Sequence, residues 1–351
     1  MFPHEHIMKK YNVGIIGYGW AAGAHIDSIN KTPQAQVTAV YSNRTLDDAE
    51  VSAKHGCPIQ TFTDYNEFLK ANIHVVDICS MPSLHAEQAI AAANAKKHII
   101  LEKPMAMNIA DCRAIVAAAE KNGVKGCVCF ECRFSGQFIS TKAIVDQGLL
   151  GDLHYAEVDY YHGIGPWYGQ FRWNTGKENG GSALLTAGCH ALDALLLFLG
   201  GDVESVCSFS TKSQSDIFAP YEYDTSSVTI LNYKNGKVGK CAAIVDCLQP
   251  YYFHTHLCGS QGSLLDDKFH SMKLKTDKGA WSKLNMKMLD SGDVSDHPYQ
   301  TQFEAFFTAL DAGKDMLLTS FRESLRSFEV LFAADKSAAE GGRPVKLSEL
   351  N

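Results

Sequence analysis

The chain has 351 residues, 46% of them hydrophobic and 20% charged, with a formal net charge of -7. This is the composition of a globular protein long enough for two domains with a core each, and its acid excess argues against nucleic acid or an anionic membrane surface as the main partner. No apolar run reads as a membrane span, the opening MFPHEHIMKK lacks the apolar stretch of a secretory signal, and eleven cysteines without such a signal read as free thiols of a reducing cytoplasm.

The first 130 residues alternate strand and helix. VGIIGYGWAA, from Val13 to Ala22, is an apolar strand running into Gly17-Tyr18-Gly19-Trp20-Ala21-Ala22. That is the G-x-G-x-x-A form of a dinucleotide-binding turn. Gly17 allows the tight turn, Gly19 lets the backbone approach a pyrophosphate, and Ala22 lets the helix pack on the sheet. The helix N-terminus after the turn, at Trp20 and Ala21, favours an anion.

Strand Gln36–Tyr41 follows, then a helix near Leu46–His55, strand Pro58–Phe62, helix Tyr65–Lys70 and strand His74–Cys79. Helix Leu84–Ala95, strand His98–Leu101, helix Ile109–Asn122 and strand Gly126–Phe130 complete the series. This alternation predicts an α/β Rossmann domain, a doubly wound parallel sheet with right-handed crossovers. Ligands of such sheets bind at the carboxyl ends of the strands. That rule selects the Gly17 turn, Ser42–Arg44, Ser80–His85 with Pro82, and Glu102–Pro104.

After the second strand comes Ser42-Asn43-Arg44-Thr45, with no carboxylate before Asp47. An acid here usually holds the ribose diol of NAD; a hydroxyl and a guanidinium suit the 2′-phosphate of NADP better. The expected cofactor is NAD or NADP, with NADP slightly favoured; Ser42 or Asn43 can still hold a free diol.

The pattern changes near 131–135, which predicts domains 1–132 and 133–351. Helix Ser140–Gln147 leads to strand Leu153–Tyr161. Strands Val203–Ser210, Ser226–Asn232, Lys237–Val245 and His254–Gly259 follow, the middle two joined by an Asn235-Gly236 turn. Few helices intervene, so an α+β domain with a large, mostly antiparallel open-faced sheet is expected. Final helices near Gln300–Ala312 and Phe321–Ala339 can pack on either domain. The cluster Cys127, Cys129, Cys132 matches no standard zinc spacing and reads as core thiols; no metal is expected.

Three regions carry chemistry. Lys103, in Glu102-Lys103-Pro104, sits at the end of a strand where it can hydrogen-bond a substrate hydroxyl. An apolar helix starting near Ser182 carries Thr186, His190 and Asp193 at i, i+4, i+7, hence on one face. Polar groups on one face of such a helix imply a partner or a cleft, and histidine is a natural proton carrier for alcohol oxidation. Between these regions, Tyr161, His162, Trp167, Tyr168, Arg172 and Trp173 mix aromatic faces with hydrogen-bonding groups, which suits carbohydrate rings; loop packing is the alternative. Asp296-His297-Pro298-Tyr299-Gln300 is a second candidate substrate-side segment.

Together, GYGWAAGAH (17–25), the stretch from Val75 to Pro104 ending in EKP, CFECRF (129–134), GLLGDL (148–153), GGSALLTAGCHALDAL (180–195) and FAADKSAAEGGRPVKL (332–347) resemble the Gfo/Idh/MocA oxidoreductases over nearly the full length. The resemblance implies a Rossmann domain, a second domain with an open sheet, and NAD(P)-dependent oxidation or reduction of sugars, cyclitols and their derivatives. It implies Lys103 and His190 as catalytic residues, with Asp193 as the acid three residues on. One departure matters: many members carry Asp four residues before the histidine, where this chain has Thr186. A threonine cannot stabilise an imidazolium as a carboxylate does.

The leading expectation is a sugar or polyol oxidoreductase. A redox-neutral glycoside-cleaving enzyme that oxidises transiently at C3 is the alternative. A non-catalytic NAD(P)-bound sensor is a third, against which the presence of both Lys103 and His190 argues. Sheets of this kind often pack face to face between subunits, so a homodimer or homotetramer is expected.

Overall fold

The computed structural model describes residues 11–275, 277, 279–289, 292 and 294–350; the N-terminal decapeptide lies outside them. The chain divides into two compact units. The first holds the chain up to Ala106, Ala110–Cys129 and Pro298–Ser324; the second holds Met107–Ile109, Phe130–His297 and Leu325–Asn351.

In the first unit, six parallel strands lie in the order β3-β2-β1-β4-β5-β6. They are β1 (Tyr11–Ile16), β2 (Ala35–Tyr41), β3 (Gln60–Phe62), β4 (Val75–Ile78), β5 (His98–Leu101) and β6 (Gly126–Val128). Helices α1 (Trp20–Lys31), α2 (Asp48–His55), α3 (Tyr65–Lys70), α4 (His85–Asn94) and α5 (Ile109–Asn122) alternate with them. Val13, Ile15, Ile16, Val75, Val76, Ile99 and Ile100 are all fully buried. β-Branched residues without polar alternation are what a strand covered on both faces needs. The order reverses beside β1, so the ends of β1 and β4 flank the topological switch point where such sheets bind ligands.

The second unit is built on a nine-stranded sheet of order β14-β13-β12-β11-β7-β10-β9-β8-β15. Its elements in chain order are α6 (Gly136–Asp146), β7 (Leu153–Tyr161), short helices α7 (Phe171–Asn174) and α8 (Lys177–Gly180), and α9 (Cys189–Leu199). Then come β8 (Val203–Thr211), β9 (Ser226–Tyr233), β10 (Val238–Ile244), β11 (Tyr252–Gly259), β12 (Gly262–Leu265), β13 (Lys268–Ser271), β14 (Ser282–Lys283) and, near the C-terminus, β15 (Val345–Lys346). All neighbours are antiparallel except β7 and β10. The strands β12 to β15 are too short to show a period in the sequence.

Helix α9 packs on β7 and β10. It buries Leu192, Leu195, Phe198 and Leu199 against the sheet face that carries Ala156, Val158, Cys241 and Ala243. Each such side chain contributes about 1.5–3 kcal/mol. The turn before α9 approaches β10 so closely that a Cβ on Gly188 would lie 2.3 Å from the Ala243 methyl. The other face is open: Phe209 is 63% exposed, and Val228, Ile230 and Val238 are about 40% exposed. Val228 and Ile230 therefore face away from Cys241 and Ala243, as the register Cys241↔Thr229 requires.

The stretch Lys177–Leu199 contains an 18-residue window apolar enough to cross a membrane by length and composition, but 83% of that window is buried inside the protein, as in a core helix.

Helix α10 (Tyr299–Asp311) belongs to the first unit and packs on α1. Its Phe307 ring stacks on Tyr11 at 5.6 Å, and its Tyr299 and Phe303 rings cover His25. Helix α11 (Phe321–Ala339) starts in the first unit and runs mostly in the second.

Candidate active site

The first unit presents the ends of β1, β2, β4 and β5. Gly17 has φ +92°, and a Cβ there would lie 2.8 Å from the Cys79 carbonyl oxygen, so no other residue fits the turn. Around Gly19 a Cβ would meet nothing within 4 Å, which is the open approach a pyrophosphate needs. Helix α1 begins at Trp20 with no side-chain cap and no acid in its first turn. An N-terminus of this kind favours an anion. These features fit a dinucleotide.

The ribose loop is tied back to this turn. The Arg44 guanidinium donates to the Tyr18 carbonyl at 3.0 Å, and its backbone N–H donates to Ser42 Oγ at 3.1 Å. Asn43 and Arg44 are exposed, while Ser42 is buried. Asp47, the first carboxylate after the strand, caps α2 by accepting from Ala49 and Glu50 at 2.8 and 2.9 Å.

His85 joins two of the strand-end loops. Its Nδ1 lies 2.7 Å from the Pro104 carbonyl and its Nε2 3.3 Å from that of Ser80. Burial lowers its pKa, which favours the neutral ring. Pro82 opens a single 3₁₀ turn, Pro82–Leu84, and Ser80 Oγ donates to Gln88 at 2.5 Å. Glu102 accepts from the backbone N–H of Lys103, from Tyr299 and from His25, each at 2.9 Å. The far nitrogen of His25 reaches Asp77 at 2.9 Å. A buried Asp77–His25–Glu102 chain therefore lies beneath the lysine loop, and the Lys103–Pro104 bond is cis. Sequence reading missed His25 and Asp77 as supports, although a carboxylate inside the apolar strand VVDI is a signal that a cation is buried beside it.

In the second unit, residues 184–188 form one π turn in place of the regular helix predicted from Ser182. Such turns recur at functional sites. His190, on the first turn of α9, is 4% exposed and stands edge-on to Phe130. Its Nε2 lies 3.9 Å from Glu131 Oε1, and that oxygen is 2.8 Å from His297 Nδ1. Thr186 is within hydrogen-bonding reach of the Tyr223 phenol.

Two expected substrate contacts are corrected. Asp193 is buried and gripped by Arg133 through two bonds of 2.6 Å, with Ser327 donating to it at 2.6 Å. Its carboxylate is saturated, so it anchors α9 and does not face a ligand. Tyr161 stacks on Tyr252 on the open sheet face, opposite α9. Side chains alternate along a strand, so Tyr160 and Tyr161 cannot both face His190.

The aromatic segment after β7 does line a cleft of about 430 Å³. Its walls are His162, Trp167, Tyr251, Leu248, Gln249 and neighbouring backbone. His162 is held by Tyr160 at 2.8 Å and sits between the rings of Tyr168 and Tyr251. Trp167 is 62% exposed with its indole N–H bonded to the Gly163 carbonyl. Trp173 is half-buried and Arg172 exposed, both on the short α7. Burial, and then the neighbouring Tyr160, Cys132 and Glu131, push the Tyr251 phenol well above its ordinary range. The cleft wall and the Glu131 carboxylate are thus electrostatic neighbours.

A parallel sheet in the 3-2-1-4-5-6 order, with an uncapped helix behind a strained glycine turn, defines a dinucleotide-binding unit. Joined to an α+β unit that carries a buried histidine, it defines a dinucleotide-dependent oxidoreductase. The chain belongs to the Gfo/Idh/MocA family: residues 11–130 match its oxidoreductase, NAD-binding Rossmann domain, and 138–265 match its C-terminal domain.

Among its relatives, myo-inositol 2-dehydrogenase of Thermotoga maritima is 26% identical over 257 residues, 73% of this chain and 75% of that one. Levoglucosan dehydrogenase of Pseudarthrobacter phenanthrenivorans is 26% identical over 292 residues, 74% of each chain. A solved levoglucosan dehydrogenase, in complex with NADH and levoglucosan, superposes with a TM-score of 0.82 at 22% identity. That likeness covers 96% of this chain and 99% of that one.

Proposed function

We propose that this oxidoreductase interconverts a ring CH–OH and its ketone on a sugar or cyclitol. The observation that carries the reading is His190, held almost fully buried on α9 beside a carboxylate. The relatives named for inositol and levoglucosan supply the substrate class. When bound, the nicotinamide takes or returns the hydride. His190 takes the hydroxyl proton, and Lys103 hydrogen-bonds and polarises a substrate oxygen. The aromatic cleft of His162 and Trp167, with Trp173 and Arg172 nearby, covers the apolar C–H face of the ring, and Thr186 contributes a hydroxyl near His190. Gly17, Gly19, Trp20 and Ala21 hold the pyrophosphate. Ser42, Asn43 and Arg44 hold the adenosine ribose, and Ser80, Pro82, His85 and Glu102 shape the nicotinamide side.

We further propose a modest preference for NADP. Arg44 is exposed at the ribose loop, and Asp47 is engaged in capping α2. The open sheet face, with Phe209, Val228, Ile230 and Val238, is the proposed surface of a homodimer or homotetramer. Free thiols at all eleven cysteines suit a cytoplasmic enzyme.

Turnover tests the reading. Lys103→Ala and His190→Ala should each bind cofactor normally yet lose roughly 100-fold or more in kcat, the range for a lost acid–base group. Near-normal turnover in either variant would remove that residue from its role.

A further inference from the structure

We infer that Glu131 is the carboxylate partner of His190, filling the part that Thr186 cannot; the inference rests on the reading of His190 as the proton acceptor. Four observations carry it. Glu131 is 1% exposed, and a carboxylate so buried needs cationic or hydrogen-bonding partners. Its Oε1 is 2.8 Å from His297 Nδ1 and 3.9 Å from His190 Nε2, so one oxygen serves both rings. Position 186, one helical turn before the histidine, holds a threonine, which carries no negative charge at neutral pH. The buried acid on the His190 helix, Asp193, is neutralised by Arg133.

The assignment accounts for the proton. On oxidation the substrate C–H leaves as hydride to the cofactor, the O–H proton moves to His190, and the carbonyl forms. The resulting imidazolium then lies against an anion held in a buried site, where the attraction is strong. His297 fixes the position of that anion, so Glu131 is a positioning residue acting through His190. Cys132, whose Sγ is 3.7 Å from Glu131 Oε1, and the Tyr251 phenol also lie near Glu131, the Tyr160 phenol lies near Cys132, and Cys189 adjoins His190 in the chain. Burial pushes the phenols of Tyr160 and Tyr251 well above their ordinary range, so neither is an anion at neutral pH.

The test is the pH profile of kcat for Glu131→Gln and Glu131→Asp beside the unmodified enzyme, with cofactor binding measured on each. Loss of the carboxylate should lower kcat at least about tenfold. It should also move the acid limb of the profile to lower pH by about one to three units, the range for an opposite charge at this distance. Glu131→Asp should restore much of both, which a purely structural role would not produce.

A folded Glu131→Gln enzyme with an unchanged profile, while His190→Ala is inactive, overturns the inference and leaves the proposed function standing. Normal turnover by His190→Ala overturns both. A histidine NMR titration of the unmodified protein needs no variant: His190 titrating above about 6.5 supports the pairing, and at or below that value contradicts it.

Discussion

The buried chain Asp77–His25–Glu102 makes a large and specific demand on the first unit. His25 and Asp77 are fully buried and Glu102 is 7% exposed. The ring nitrogens of His25 each meet a carboxylate oxygen at 2.9 Å. Burial opposes a charge on His25, but Asp77 and the adjacent Cys79 raise its pKa well above the ordinary histidine value. Only the imidazolium form, with a proton on each ring nitrogen, donates to both carboxylates at once. Replacing it with leucine removes the shared cation and leaves two buried carboxylates facing an apolar side chain.

Breaking a buried pair in this way costs about 3–5 kcal/mol. His25→Leu should lower unfolding stability by that amount, read by urea denaturation of the cofactor-free protein at pH 7. His25→Leu/Asp77→Leu should be less destabilised than the sum of the single changes by about 2 kcal/mol, because the second change removes an orphaned charge. The pH dependence has a definite sign. A histidine with a raised pKa contributes stability that is complete below about 6.5 and is lost as pH rises through its higher folded value. The unmodified protein should weaken on the alkaline side, and His25→Leu should not share that slope. A loss under 1 kcal/mol, with the two changes additive, would refute the description of this cluster as a charged chain.

Three further outcomes follow from other sites. Burial raises the Asp335 pKa to about 7 against the opposing effects of Ser182 and Lys177, so the native state holds its proton more tightly than the unfolded chain. Stability from this group falls as pH rises from about 4 to 7; Asp335→Asn should be more stable than the unmodified protein by about 1–2 kcal/mol at pH 8 and equal to it at pH 4, as measured by urea denaturation. Arg44→Ala should weaken NADPH binding by about 1–3 kcal/mol, the range for a charge-assisted contact, and leave NADH nearly unchanged; calorimetry showing equal losses, or tighter NADH binding by the unmodified protein, would remove the NADP preference. If the proposed assembly forms, Ile230→Glu on the open sheet face should convert it to a 38.5 kDa monomer by light scattering, and a monomeric unmodified protein would contradict it.

Most of the fold was legible because its signals are local. The first five helices and six strands follow from apolar runs punctuated by turn residues, and strand β7 and helix α11 match their predicted limits residue for residue. The glycine turn was legible because Gly17 needs a backbone that other residues avoid. What escaped is tertiary. Asp193 reads as a site acid until Arg133, sixty residues earlier, is seen to neutralise it. Tyr161 reads as an aromatic wall until strand alternation turns it to the open face. Glu131 and Arg133 stand immediately after an apolar strand, and two charges there hinted at buried partners, but the sequence does not say which. The π turn at 184–188 carries no signal in an alanine- and leucine-rich run.

The measurement that bears most directly on the proposed chemistry is hydride tracing. The unmodified enzyme would be incubated with NAD or NADP and a panel of ring alcohols, myo-inositol, levoglucosan and simple glucosides, each deuterated at its carbinol carbons. Reduced nicotinamide should accumulate with at least one of them, carrying deuterium at C4, and should fail to accumulate with His190→Ala. Cofactor that binds but is never reduced by any ring alcohol would contradict the account, as would release of an aglycone with no net reduction.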